Sequence, residues 1–145
     1  MKCNYGAVGL LLLLFASGCG GGSDRPKLAP VKGQVTLDGV AVKDAAVMFM
    51  PTTGRPAMGA TDAAGNFELM TYDPGDGALL GDHKVTVTLK KLTGVVSSDG
   101  LSGTAAPGGI QEEWLVPERY SKPETSGLTA KVEPRMAPLE FKLTK

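Results

Sequence analysis

Apolar and polar residues alternate with a period of two in several short runs of this chain, and turn-forming residues separate the runs. Val31, Gly33, Val35 and Leu37 alternate with Lys32, Gln34 and Thr36 until Asp38-Gly39 ends the run. After the turn signal Asp62-Ala63-Ala64-Gly65, Phe67, Leu69 and Thr71 alternate with Glu68, Met70 and Tyr72. His83, Val85, Val87 and Leu89 point one way while Lys84, Thr86 and Thr88 point the other. Near the C-terminus the same pattern appears in Leu128, Ala130 and Val132, and again in Leu139, Phe141 and Leu143. Side chains of a strand point to opposite faces in turn, so each run predicts a half-buried strand. A helix would need apolar positions at i, i+3 and i+4, which these runs lack.

Two segments depart from simple alternation. Residues 45–50 (AAVMFM) are apolar on both faces, which predicts a central strand covered on both sides or lying near a partner. Residues 94–118 are rich in Gly, Ser and Ala, an unusual length of irregular chain inside a domain. Either the segment is mobile or part of it, Glu113 to Val116, adds an edge strand; in both cases it is the expected variable surface. A short strand near 58–61 completes the set. The expected fold is all-β: a single antiparallel, Greek-key-like sandwich of about seven strands over residues 31–145.

Composition narrows this only a little. With 20 Gly and 10 Pro in 145 residues, the chain is turn-rich, as an all-β fold requires. Lys+Arg and Asp+Glu both number 15, so no basic field points to nucleic acid. Both cysteines, Cys3 and Cys19, lie before the first predicted strand, so the sandwich contains no disulfide.

The N-terminus reads as an address. Lys2 precedes the apolar core 7–16 (AVGLLLLLFA), which is shorter than the roughly 20 residues needed to span a bilayer. Ala16, Ser17 and Gly18 then lead to Cys19. This stretch resembles the lipobox of bacterial lipoproteins, with Ala16 where that family most often has Leu. The resemblance implies that residues 1–18 are a signal peptide and that Cys19 is the lipidation site. Residues 19–30 are then the lipidated cysteine and a flexible Gly-Ser-Pro tether. The expected location is the cell envelope, at the outer membrane or the periplasmic side of the inner membrane, with the membrane as partner through the lipid on Cys19.

The strand and turn residues also resemble a known domain. Val31 to Gly39 (VKGQVTLDG), Ala46 to Phe49 (AVMF) and Thr61 to Phe67 (TDAAGNF) resemble the carboxypeptidase regulatory-like domain, closest to small lipoproteins of planctomycete bacteria. Gly75 to Ala78, Gly81, Lys84 to Val87 and Tyr120 to Leu128 fit the same resemblance. It implies a transthyretin- or immunoglobulin-like sandwich with accessory, adhesive or structural roles. Turn and strand residues specify a fold far better than an activity.

Candidate chemistry is sparse. His83 is the only histidine, and no nucleophile motif accompanies it and Asp82, so it reads as a satisfied or surface residue. Asp73, Asp76 and Asp82 offer oxygens to calcium, but their spacing fits no EF-hand, and turn formation explains the first two. Trp114, Tyr120 and Tyr72 form a candidate interaction surface for a glycan or an envelope protein. No cofactor is expected. The expected function is a non-catalytic, lipid-anchored binding or structural module. The alternatives are an assembly or regulatory subunit docking on another envelope protein, and, remotely, a transthyretin-like hydrolase. The hydrolases of that fold use several His and Arg residues and a C-terminal Tyr-Arg-Gly-Ser, whereas this chain has one His and ends Phe141-Lys142-Leu143-Thr144-Lys145.

Overall fold

The structure, a computed structural model, describes residues 26–93 and 111–145. In chain order its strands are β1 (Leu28–Ala29), β2 (Lys32–Leu37), β3 (Val40–Ala41), β4 (Ala46–Pro51), β5 (Ala57–Ala60) and β6 (Asn66–Glu68). Then come β7 (Ala78–Leu79), β8 (Gly81–Thr88), β9 (Lys90–Thr93), β10 (Gln111–Trp114), β11 (Leu128–Val132) and β12 (Leu139–Leu143). Every period-two run contains a strand, the run Phe67 to Tyr72 only at its start, in β6, and at an isolated bridge at Met70, and the only helical piece among the described residues is a 3₁₀ turn, Glu118–Ser121. The chain is all-β. Beyond the expected seven are β10, which overlaps the stretch weighed as an edge strand, and β1, β3, β7 and β9, each two to four residues long, too short to show a period.

The Asp38-Gly39 turn sets the first hairpin. Both residues have positive φ, 49° and 84°, as a two-residue turn needs if it is to match the twist of its strands. β2 and β3 pair across it, with Leu37 opposite Val40. One sheet runs β11-β8-β4-β5, antiparallel throughout. The other is centred on β2, with β12 along one edge and β3 and β6 along the other.

One pairing corrects the fully antiparallel expectation: β12 lies parallel to β2, Phe141 opposite Val35 and Leu143 opposite Leu37. Alternation reports which face a residue takes and carries no information about strand direction. Residues 133–138 carry the chain from β11 in the first sheet to β12 in the second, so the last strand arrives running with β2.

The two sheets meet on a single apolar core. Val47 and Phe49 of β4, Val85 and Val87 of β8, and Val132 of β11 come from one side; Val35, Phe67, Phe141 and Leu143 come from the other. Three aromatic rings join the sheets, with Phe49 6.3 Å from Phe67 and 5.9 Å from Phe141, and Phe67 6.0 Å from Phe141 between centroids. Such pairs contribute about 0.5–1.5 kcal/mol beyond their burial. Gly33 makes room for them: a Cβ there would lie 2.6 Å from the Phe67 ring and 2.5 Å from the Leu139 carbonyl.

The ordered fold begins before Val31, which shortens the expected tether. Leu28 and Ala29 pair with Leu79 and Ala78, and Ala29 is buried. Gly77, with φ 87°, lets the chain pass directly against the Ala29 carbonyl, where any side chain would collide. Cys19 and the segment 1–25 lie outside the described residues. β4 is a central strand as expected, but it is covered on one side only. Val47 and Phe49 are buried, whereas Met48 and Met50 on the outer face are half-buried.

Candidate functional site

Beyond Leu89 the long strand β8 leaves the sheet and continues as β9, which among the described residues pairs only with β10. Lys90 is opposite Trp114 and Thr93 opposite Gln111. All four residues of β9 and the first three of β10 are exposed, so this two-stranded arm projects from the body. Its base is fixed. Leu115 N–H donates to the Leu89 carbonyl at 3.0 Å, and Val116 is fully buried. Lys90 braces the arm near its base: its Nζ lies 4.1 Å from the Trp114 ring centroid and donates to Glu112 Oε2 at 2.8 Å. Leu92 and Leu115 are left 57% and 43% exposed. The strand expected from Glu113 to Val116 is thus observed at Gln111–Trp114, and it builds the arm instead of a sheet edge. Residues 94–110 lie outside the described residues.

The three aromatic residues expected to share a surface occupy three different settings. Trp114 lies on the arm, half-buried under Lys90. Tyr72 is partly exposed in the 71–77 loop, with the Arg55 guanidinium 5.3 Å over its ring. Tyr120 is a core residue, which removes it from the candidate surface. Its hydroxyl accepts the Thr144 N–H at 3.1 Å and an Arg119 Nη2 hydrogen bond at 3.0 Å, and Arg119 also reaches Thr144 Oγ1 at 2.9 Å. Tyr120 therefore ties the 3₁₀ turn to the chain's last residues. A single Tyr in a polar stretch gave no periodic sign of this.

The aspartates are structural where their partners are visible. Asp76 accepts the backbone N–H groups of Thr71 at 2.6 Å and of Tyr72 and Asp73 at 2.9 Å. Donors converging on both oxygens make it the cap of its own loop. Among the described residues no three His, Cys, Asp or Glu side chains gather as a metal site. His83 corrects the expectation of a satisfied or surface imidazole: it is 3% exposed, 5.9 Å from the Phe49 ring. Its Nδ1 is 3.0 Å from the Gly81 carbonyl, and Nε2 has no protein partner.

An open groove of about 740 Å³ lies at the end of the β4-β8-β11 sheet. Met50, Pro51 and Pro123 give it apolar walls, and Asp82, Lys84 and Lys131 give it charges of both signs. Lys84 and Lys131 were not legible as groove residues in the sequence, because the register of β8 with β11 is what places them at one end of the sheet.

No protein-family model, no curated protein and no solved structure matches this chain.

Proposed function

We propose that this chain is a non-catalytic, lipid-anchored β-sandwich of the bacterial cell envelope that binds a partner through its β9–β10 arm. The observation that carries the reading is the arm itself: a ribbon outside both sheets, exposed on nearly every residue, rooted in the core at Val116 and bearing the chain's one tryptophan. Solvent-exposed apolar residues such as Leu92 and Leu115, beside an aromatic, are the composition of binding surfaces. The anchor belongs to the proposal through Cys19 and its lipobox-like approach, and the likeness to carboxypeptidase regulatory-like domains belongs to it through the turn and strand residues that carry the resemblance. The arm also favours a narrower form of the same reading, in which one envelope protein is the stoichiometric partner.

Two measurements test it. Cys19→Ala should move the protein from the membrane to the soluble fraction; unchanged membrane association sinks the anchor. Cross-linking in intact cells should capture a defined species that Trp114→Ala and Leu92→Lys both abolish without lowering the unfolding temperature. Capture that is indifferent to both variants removes the arm from the proposal. One captured protein establishes the narrower form; glycan-bearing material establishes an adhesive module.

A further inference from the structure

The outer face of the sheet is polar along β8 and β11, where Lys84, Thr88, Thr129 and Lys131 project, but it changes character toward its other edge. There the register sets Met48 opposite Met58, and Met58 opposite Met70. Met58 exchanges both backbone hydrogen bonds with Met70, at 2.9 and 2.8 Å. Its N–H and C=O therefore face Met70, which makes Met48–Met58 a non-hydrogen-bonded pair, the type with the closer side chains. The flanking residues Val47, Phe49, Ala57 and Leu69 are buried, so alternation turns all three thioethers outward. Met58 and Met70 are each 47% exposed. Met50 is two residues along β4 on the same face and is half-buried. Four of the chain's six methionines thus share one patch.

Methionine usually fills irregular gaps in a core, because its long, unbranched chain adapts to the space left over. An outward row on a sheet has no such gap to fill. Its distinctive property there is the sulfur. A thioether is neutral and soft, and it selects Cu(I) over the hard cations that prefer oxygen. Two strand spacings put the outer methionines about 10 Å apart. Three rotatable bonds in each let both sulfurs lean over Met58. We propose that Met48, Met58 and Met70 form a binding site for a soft monovalent cation, Cu(I) or its redox-inert counterpart Ag(I), with Met50 adjacent as a further thioether. The site lies on the body, is built from different residues than the arm, and is independent of the anchor.

The test is a titration of the full chain, in detergent, with silver nitrate in chloride-free buffer. The protein carries Cys3→Ser and Cys19→Ser, since free thiols would outcompete thioethers, and its methionine methyl groups are ¹³C-labelled. One equivalent of Ag(I) should shift the methyl resonances of Met48, Met58 and Met70 and leave those of Met1 and Met136 in place. Met58→Leu preserves apolar character and size and should weaken binding by about tenfold or more at an unchanged unfolding temperature. Met70→Leu serves as a second variant should the first fail to fold. No shift, shifts spread evenly over every methionine, or Leu variants that bind as well as the parent would each overturn the site. None of these outcomes bears on the arm or on membrane attachment, so the two readings fail separately.

Discussion

Two residues show how much a single polar group decides in this fold. His83 stands in the core with one ring nitrogen beside the Gly81 carbonyl and the other without a protein partner. An unsatisfied buried polar atom costs about 1–3 kcal/mol, whereas the one hydrogen bond that His83→Leu would remove, to the Gly81 carbonyl, contributes about 1 kcal/mol net. His83→Leu is therefore expected to keep or raise the thermal unfolding temperature; a large fall would mean that Nε2 is engaged. Asp62 is the opposite case, an exposed carboxylate fully engaged by its turn. The Asn66 N–H, 2.9 Å from Oδ1, is the main cause holding its pKa below the ordinary carboxylate value, and the Asn66 side chain and the Ala64 N–H add to it. Because the folded value is depressed, this contribution to stability is present above the unfolded value near pH 4 and is lost as pH falls through the folded one. The unfolding temperature of the parent should thus decline more steeply below about pH 4 than that of Asp62→Asn, which keeps an acceptor but loses the titration. Equal slopes would refute this account.

At the scale of the element, the arm is the part that can loosen by itself. Among the described residues its side-chain ties are a cation–π contact and a partly exposed ion pair, both made by Lys90, and a long Thr93 Oγ1–H hydrogen bond to the Gln111 carbonyl at 3.4 Å; the two made by Lys90 are each worth at most about 1 kcal/mol at such sites. Lys90→Ala should speed amide exchange across 90–93 and 111–114 and alter Trp114 fluorescence. The global unfolding temperature should stay close to the parent value. Slower or unchanged exchange would mean that the arm is stiffened by something other than Lys90. This element also marks the limit of what the sequence disclosed. Long alternating runs such as His83 to Leu89 show both their existence and their buried face, because burial on one side demands the period. Two-residue strands such as Leu28–Ala29 and Ala78–Leu79 have no period to show and exist through mutual pairing. Glu113 and Trp114 were legible as strand, but their partner was not, since pairing is a tertiary fact. The Met48–Met58–Met70 row was hidden for the same reason, its members being spread over 23 positions and joined only by register.

For the whole molecule, the question is whether the two sheets form one cooperative unit, and Phe141 tests it. It lies on β12, the last strand, yet its ring meets Phe49 of the opposite sheet and Phe67 of its own, while its backbone pairs with Val35 of β2. Cutting a buried Phe to Ala typically costs 3–5 kcal/mol, a large part of the roughly 5–15 kcal/mol that holds a domain folded. If the core is single, that loss cannot stay within β12, because the cavity opens between both sheets. Phe141→Ala should therefore shift denaturant unfolding to lower concentration equally by far-ultraviolet circular dichroism, which follows the sheets, and by the fluorescence of Trp114, the lone tryptophan on the arm. Coincident curves are the mark of a two-state transition. Leu139→Ala, at a partly buried position on the same strand, should move both curves by less. If Phe141→Ala shifted only the dichroism and left the fluorescence midpoint in place, the arm and its buried root at Val116 would form a separate unit, and the one-core description of this fold would fail.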